Sequence, residues 1–272
     1  TSTPTNTYLN PKTVSIPVKE FNEDQIVLKK GDGTENIIAA EEEQLNYLNA
    51  NKEAEKLTYN TLTIPRGRVF KILLSDGTKV WLNAESKIRF PEKFLPTEDT
   101  RTVYLEGEAF FDVAHNKDQP FKVKTGALEI EVLGTKFNVS SYVSEDNIST
   151  TLVDGSVQIN NSENESQPLL LEPNDQAKYG RESLSARVSK VNTGDFTAWI
   201  EKRIVFKNET FKNIAARIER TYNVNITNDL ENFDQQRFTG EFDIETIEDI
   251  LKAMREISDF EYKINGRNIN IY

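Results

Sequence analysis

Three Asp-Gly dipeptides, at Asp32-Gly33, Asp76-Gly77 and Asp154-Gly155, punctuate a long stretch of short β-branched and aromatic runs. Both residue types tolerate the positive φ of a tight turn, so each dipeptide between apolar runs predicts a hairpin. From about residue 14 to residue 190 the chain is therefore expected to form an all-β domain, a multi-stranded antiparallel sandwich or a β-roll of hairpins. The Asp76-Gly77 hairpin would join Val69–Leu74 to Val80–Leu82, with apolar residues on both faces as in strands covered on both sides. With a two-residue turn at Asp154-Gly155, Leu152 would pair with Val157 and Thr150 with Ile159. The clearest strand is 128–132, where Leu128, Ile130 and Val132 alternate with Glu129 and Glu131.

Residues 1–13, rich in Thr, Asn and Pro, read as a flexible linker, and 160–166 as a polar loop tip. Residues 37–56 have helix-forming composition but a weak apolar stripe, so a short helix and an extended excursion both remain open. After about residue 195 the period changes. Phe211, Ile214, Ala215, Ile218 and Tyr222 follow helical spacing, as do Ile247, Ile250, Leu251, Met254 and Ile257. With the strand-like runs around them, the order over 195–272 is β-α-β-β-α-β-β, a small α+β domain with two helices over one apolar sheet face. An Asn265-Gly266 turn would place Phe260 opposite Ile271 and Tyr262 opposite Ile269.

Acids outnumber bases 44 to 33, for a net charge of −11, which disfavours nucleic acid and anionic membrane surfaces as partners. There is no cysteine, which removes disulfides, zinc-thiolate sites and thiol nucleophiles together. No apolar run approaches the roughly 20 residues of a membrane-spanning helix. The chain opens on Thr1 without a signal-peptide pattern, so its targeting segment is expected to have been removed.

Little chemistry is visible. His115 is the one histidine and follows a strand-like run, where a solvent-exposed turn is the plain reading. Glu106, Glu108 and Asp112 share a parity, as do Glu129 and Glu131, but alternating acids opposite an apolar face describe a solvated strand face. No glycine-rich phosphate loop, calcium loop or nucleophile elbow occurs. Trp81 and Trp199 have apolar neighbours and are expected to pack rather than to stack on sugar. The expectation is no enzyme, no cofactor and no metal. The competing reading is a carbohydrate-binding or surface-glycan accessory protein, supported by the 10% aromatic content and requiring exposed, coplanar rings.

Several linked blocks resemble the FecR family. They are 66–86 (Arg66-Gly67 through Leu74-Ser75-Asp76-Gly77-Thr78-Lys79-Val80-Trp81-Leu82 to Ser86), 105–113, 120–123, 132–139 and 152–157, in the expected order. The C-terminal βαββαββ module resembles the short N-terminal signalling domain of secretins and TonB-dependent transporters, so the resemblance covers the chain from about residue 20. Two positions depart from the pattern: Arg68 stands where a second glycine is common, and Pro173-Asn174 where Pro-Gly is common. Asn tolerates the left-handed conformation, so that turn is expected to survive.

The resemblance implies a relay. A cytoplasmic segment binds an extracytoplasmic-function sigma factor, one helix crosses the inner membrane, and the remainder lies in the periplasm. There it meets the signalling domain of a TonB-dependent outer-membrane transporter, and a periplasmic protease then frees the sigma factor. This chain would be the periplasmic part and would reach the sigma factor only through the cytoplasmic segment. The leading partner surface is a sheet edge at Arg237, Phe238, Thr239, Gly240, Glu241 and Phe242, where Gly240 would admit another backbone. If instead both Phe side chains are core, Gly240 is a bulge.

Overall fold

The computed structural model describes residues 24–39, 42–49, 55–162, 167–183, 185–243 and 246–272. The expected linker 1–13 and residues 163–166 of the expected loop tip lie outside them. The chain divides into one unit ending at Thr193 and a second comprising Gly194–Tyr272 with the tripeptide Arg66–Arg68.

In the first unit the strands are β1 (Ile26–Lys29), β2 (Glu35–Ile38), β3 (Gln44–Asn46), β4 (Tyr59–Thr63), β5 (Phe70–Leu73), β6 (Lys79–Leu82), β7 (Lys87–Pro91) and β8 (Arg101–Asp112). They continue as β9 (Phe121–Thr125), β10 (Leu128–Val132), β11 (Lys136–Ser141), β12 (Asn147–Asp154), β13 (Val157–Asn161), β14 (Leu169–Leu171), β15 (Asp175–Gly180) and β16 (Ala186–Lys190). One layer runs β2-β1-β4-β7-β8-β9-β10-β13-β14 and the other β3-β5-β6-β8-β11-β12-β15-β16. All pairs are antiparallel except β3–β5 and β8–β9, so the expected antiparallel sandwich carries two parallel exceptions. The inward faces of both layers meet in one continuous apolar core.

The layers share β8. Its first half pairs with β7 and β9, its second with β6 and β11. Between the halves stands Gly107, at φ +94°, with its Cα against Ser86; an added Cβ would lie 2.6 Å from the Ser86 Cα. The Ser86 hydroxyl locks the crossing, accepting from the Glu108 N–H at 2.8 Å and donating to the Glu108 carbonyl at 3.1 Å. A strand that changes layers needs a residue without a side chain at the bend.

Two of the three Asp-Gly signals are hairpins, each with a three-residue loop. Lys30 N–H donates to Thr34 O, and Leu74 N–H to Thr78 O. Gly33 and Gly77 take φ +88° and +87°, and the Asp before each accepts from the Thr backbone N–H at 2.8 and 2.9 Å. This is a turn closed by a left-handed residue, with an Asp side chain fixing the reversal. Between β5 and β6 only one face is core: Phe70, Ile72, Val80 and Leu82 are buried, while Val69 is exposed and Leu73 half-buried, so the expectation of strands covered on both sides fails.

The third signal is a different device. β12 and β13 do not pair; β12 lies between β11 and β15 in one layer, β13 between β10 and β14 in the other. Asp154-Gly155 carries the chain across the core, and the Gly155 Cα sits against Thr135 and the Gly134 carbonyl. Strand 128–132 forms as expected, its glutamates paired with Lys122 and Lys124. Within 37–56 the described residues hold the end of β2 and all of β3, and no helix. Asn174 takes φ +70° after Pro173, and Asp175 N–H donates to Glu172 O at 2.9 Å, so asparagine fills the glycine position of a type II turn.

Tyr47, just after β3, gives the stability of this unit a pH dependence. Tyr47 packs edge-on against Phe90 at 5.1 Å, and its hydroxyl accepts from Asn60 Nδ2 at 3.1 Å. Burial pushes its phenol up to about 12, against the smaller opposing effect of the Asn60 hydrogen bond. Below the unfolded pKa of about 10 this group's contribution is fully present, and it is lost as pH rises through 12. Tyr47→Phe is therefore expected to lessen the loss of stability between about pH 10 and 12 by about 2 kcal/mol, read from urea unfolding at each pH.

In the second unit a short helix α1 (Gly194–Thr197) and a 3-10 turn (Ala198–Glu201) precede β17 (Arg203–Thr210). Then come α2 (Phe211–Tyr222), β18 (Asn225–Asn228), β19 (Arg237–Asp243), α3 (Ile247–Ile257), β20 (Tyr262–Asn265) and β21 (Asn268–Ile271). The order matches the expected β-α-β-β-α-β-β. The strands, however, form two sheets, β17-β19 and β18-β21-β20, rather than one. Phe206, Phe211, Ile214, Ile218, Phe238, Leu251, Met254, Phe260, Ile269 and Ile271 belong to the core between them. Ile257, expected in the buried stripe, is exposed at the end of α3. The last hairpin is also shifted: Tyr262 pairs with Ile271 and Ile264 with Ile269, so the loop is Gly266-Arg267, not Asn265-Gly266. Gly266 alone in it has positive φ, as in turns that need glycine at the first central position.

Candidate protein-binding edge of the C-terminal unit

β19 pairs with β17 alone among the described strands, so one long side of Arg237–Asp243 has no strand beside it. Phe238 and Phe242 both point into the core. Phe238 meets the rings of Phe211 and Phe233 at 6.2 and 5.9 Å, and Phe242 meets Phe206 at 6.2 Å. Gly240 has a local reason to be glycine: an added Cβ would lie 2.7 Å from the Phe242 ring. Its missing side chain makes room for that ring, whatever lies beyond the edge.

The outward residues Arg237, Thr239, Glu241 and Asp243 are exposed. Three of them are tied to β17. Glu241 forms a short ion pair with Arg203, Thr239 Oγ1 accepts from the Asn208 N–H at 2.9 Å, and Arg237 Nη1 donates to the Asn208 carbonyl at 2.6 Å. Asn208, at φ +50°, is the bulge where Lys207 and Asn208 together oppose Thr239. Sequence reasoning did not single out this bulge, although an asparagine inside a strand-like run, tolerant of left-handed geometry, is its signal. These contacts hold β19 in an extended form with alternate backbone N–H and C=O groups directed away from β17.

The remaining candidate residues do not assemble into chemistry. His115 is exposed. Glu106 is exposed, and Glu108 accepts from the amides of Asn83 and Asn138, each at 2.8 Å. Among the described residues no group of three His, Asp or Glu side chains could hold a metal ion. Trp199 is buried; Trp81 is half-buried, set against Phe110 at 61° with the Lys71 ammonium 4.8 Å from its ring. Neither supplies a flat exposed face for sugar. Among the described residues no helix is long and apolar enough to cross a membrane.

The chain thus joins a β domain to a two-helix α/β unit. Residues 60–158 match the family model "FecR protein" and residues 203–271 the model "FecR, C-terminal". The chain therefore carries both the FecR domain and the FecR C-terminal domain. Two crystal structures of a candidate anti-sigma factor from Parabacteroides distasonis ATCC 8503 are similar to it, each with a TM-score of 0.72 and 28% identity. They cover 78% and 79% of this chain and 98% of their own. No curated protein matches by sequence.

Proposed function

We propose that the chain is the periplasmic signal-relay part of a FecR-type regulator of an extracytoplasmic-function sigma factor. Its C-terminal unit, akin to a short N-terminal signalling domain, binds the signalling domain of a TonB-dependent outer-membrane transporter. The sigma factor is held by a cytoplasmic segment beyond a single inner-membrane helix, and a periplasmic protease completes the relay. The observation that carries this reading is the one-sided pairing of β19, held extended by its ties to Asn208 and Arg203. Main-chain pairing onto such an edge gives affinity without a special sequence.

The test uses the signalling domain of a transporter encoded beside this protein. Glu241→Lys removes an exposed, solvent-screened ion pair that contributes little to the fold, and it reverses the charge beside the edge. Binding weakened by about tenfold or more, at a melting temperature changed by only a few degrees, is expected. Unchanged binding for Glu241→Lys and for Thr239→Tyr would move the interface to the helix faces carrying Arg217 or Lys252 and Arg255.

A further inference from the structure

The layer containing β7 turns a charged face to solvent. On β7, Lys87 and Arg89 are the exposed positions, alternating with buried Ile88 and Phe90. Arg89 lies in register with Thr61 on β4 and Tyr104 on β8. Its guanidinium is clasped by two rings, 4.1 Å from the Tyr59 centroid and 4.8 Å from the Tyr104 centroid. The rings stand at 67° to one another, 5.9 Å apart. Stacking of this kind fixes the guanidinium plane and leaves the N–H donors at its rim available.

Among the described residues no acceptor lies within hydrogen-bonding or ion-pair distance of Arg89. Other cations of this layer are neutralised: Lys29 pairs with Glu35, Lys122 with Glu129 and Glu131, and Lys124 with Glu129. A rigid donor fork without an anion, in a chain with 44 acids, is set up to take a carboxylate from outside. Lys87 stands two residues along the same face, opposite Glu106 in register but without an ion pair to it. Alternate residues on a strand are about 6.6–6.8 Å apart, which is also the spacing of alternate side chains in an extended peptide.

We infer that Arg89, clasped by Tyr59 and Tyr104, is a carboxylate-binding site for an acidic, extended peptide segment of a partner, with Lys87 receiving a second carboxylate. A sugar acid is a poorer fit. Each tyrosine already turns a ring face to Arg89, and two rings at 67° offer no flat platform for a pyranose. The site lies in the first unit and does not depend on the β19 edge.

The experiment titrates the whole chain with an acetylated, amidated Glu-Thr-Glu-Thr-Glu peptide, its Gln-for-Glu counterpart and trigalacturonate, followed by NMR. The glutamate peptide is expected to bind with a dissociation constant of about 0.1–1 mM and the glutamine peptide not to saturate. Arg89→Lys keeps the charge but loses the planar fork, and is expected to weaken the glutamate peptide by about fivefold or more. Thermal melting shows that the variant is folded, and the glutamine peptide tests the same point on the unaltered chain. Equal affinity for the two peptides, undiminished binding by Arg89→Lys, or no glutamate-peptide binding at about 10 mM would overturn the inference. Preference for trigalacturonate would overturn the peptide as ligand.

Discussion

Replacing Arg101 by methionine is expected to destabilise the β domain by about 3–5 kcal/mol, because it breaks a buried ion pair. Arg101 is 1% exposed and fastens three segments to the start of β8. Its Nη1 donates to Asp76 Oδ2 at 2.6 Å and to the Ala114 carbonyl at 2.9 Å, while Nε donates to the Gln119 carbonyl at 2.8 Å. Asp76 is the same residue that fixes the β5–β6 turn, and it also accepts from Thr78 Oγ1 at 2.7 Å. Removing the arginine leaves a carboxylate, only 11% exposed, without its cation. The paired change Asp76→Asn with Arg101→Met should cost clearly less than the sum of the single changes, because the partners are coupled. Additive losses in urea unfolding would show that the pair is not a unit.

Gly107→Ala is expected to cost about 2–5 kcal/mol, combining left-handed strain with overpacking. The new Cβ would meet the Ser86 Oγ, Cα and Cβ at 2.5, 2.6 and 2.8 Å, and a Cα cannot swing aside as a side-chain tip can. The strain adds to this because φ is +94°. Ser86→Ala in the same background removes only the hydroxyl clash and should recover little. A stability change below about 1 kcal/mol for Gly107→Ala, by chemical denaturation, would contradict the account of β8 as a strand bent between layers.

Alternation and turn chemistry carried much of this fold. Strand 128–132, the loops at Asp32-Gly33 and Asp76-Gly77, the turn at Asn174 and both long helices follow from local pattern. What local pattern does not contain is the partner of each strand. Asp154-Gly155 has hairpin chemistry, yet the next strand joins the other layer, because the open position in that layer beside β10 is a tertiary fact. The same limit applies to the two sheets of the C-terminal unit and to the one-residue displacement of its last turn. At Gln44–Asn46 the helix-forming composition around it lost to the edge position beside β5, where the segment pairs in parallel.

The candidate sites show the same division. The strand character of 237–242 was legible, and so was the shared parity of Phe238 and Phe242. The role of Gly240 was not, because the ring it accommodates belongs to its own strand. Arg101 also escaped notice, since charged residues in a Thr-rich run read as surface. Its signal was parity: it shares the inward face with Val103 and Leu105, and a cation there requires a buried acid. Arg89 gave no sign in sequence, because its two tyrosines come from strands separated by long stretches of chain.

The relay reading stands most directly on whether β19 gains a strand partner. Hydrogen–deuterium exchange of the whole chain, with and without the neighbouring transporter's signalling domain, measures this at each amide. The account predicts that alternate amides within Arg237–Asp243 become protected in the complex, while those of β18, β20 and β21 change little. A complex that forms with no added protection in Arg237–Asp243, or no complex at all, would contradict it.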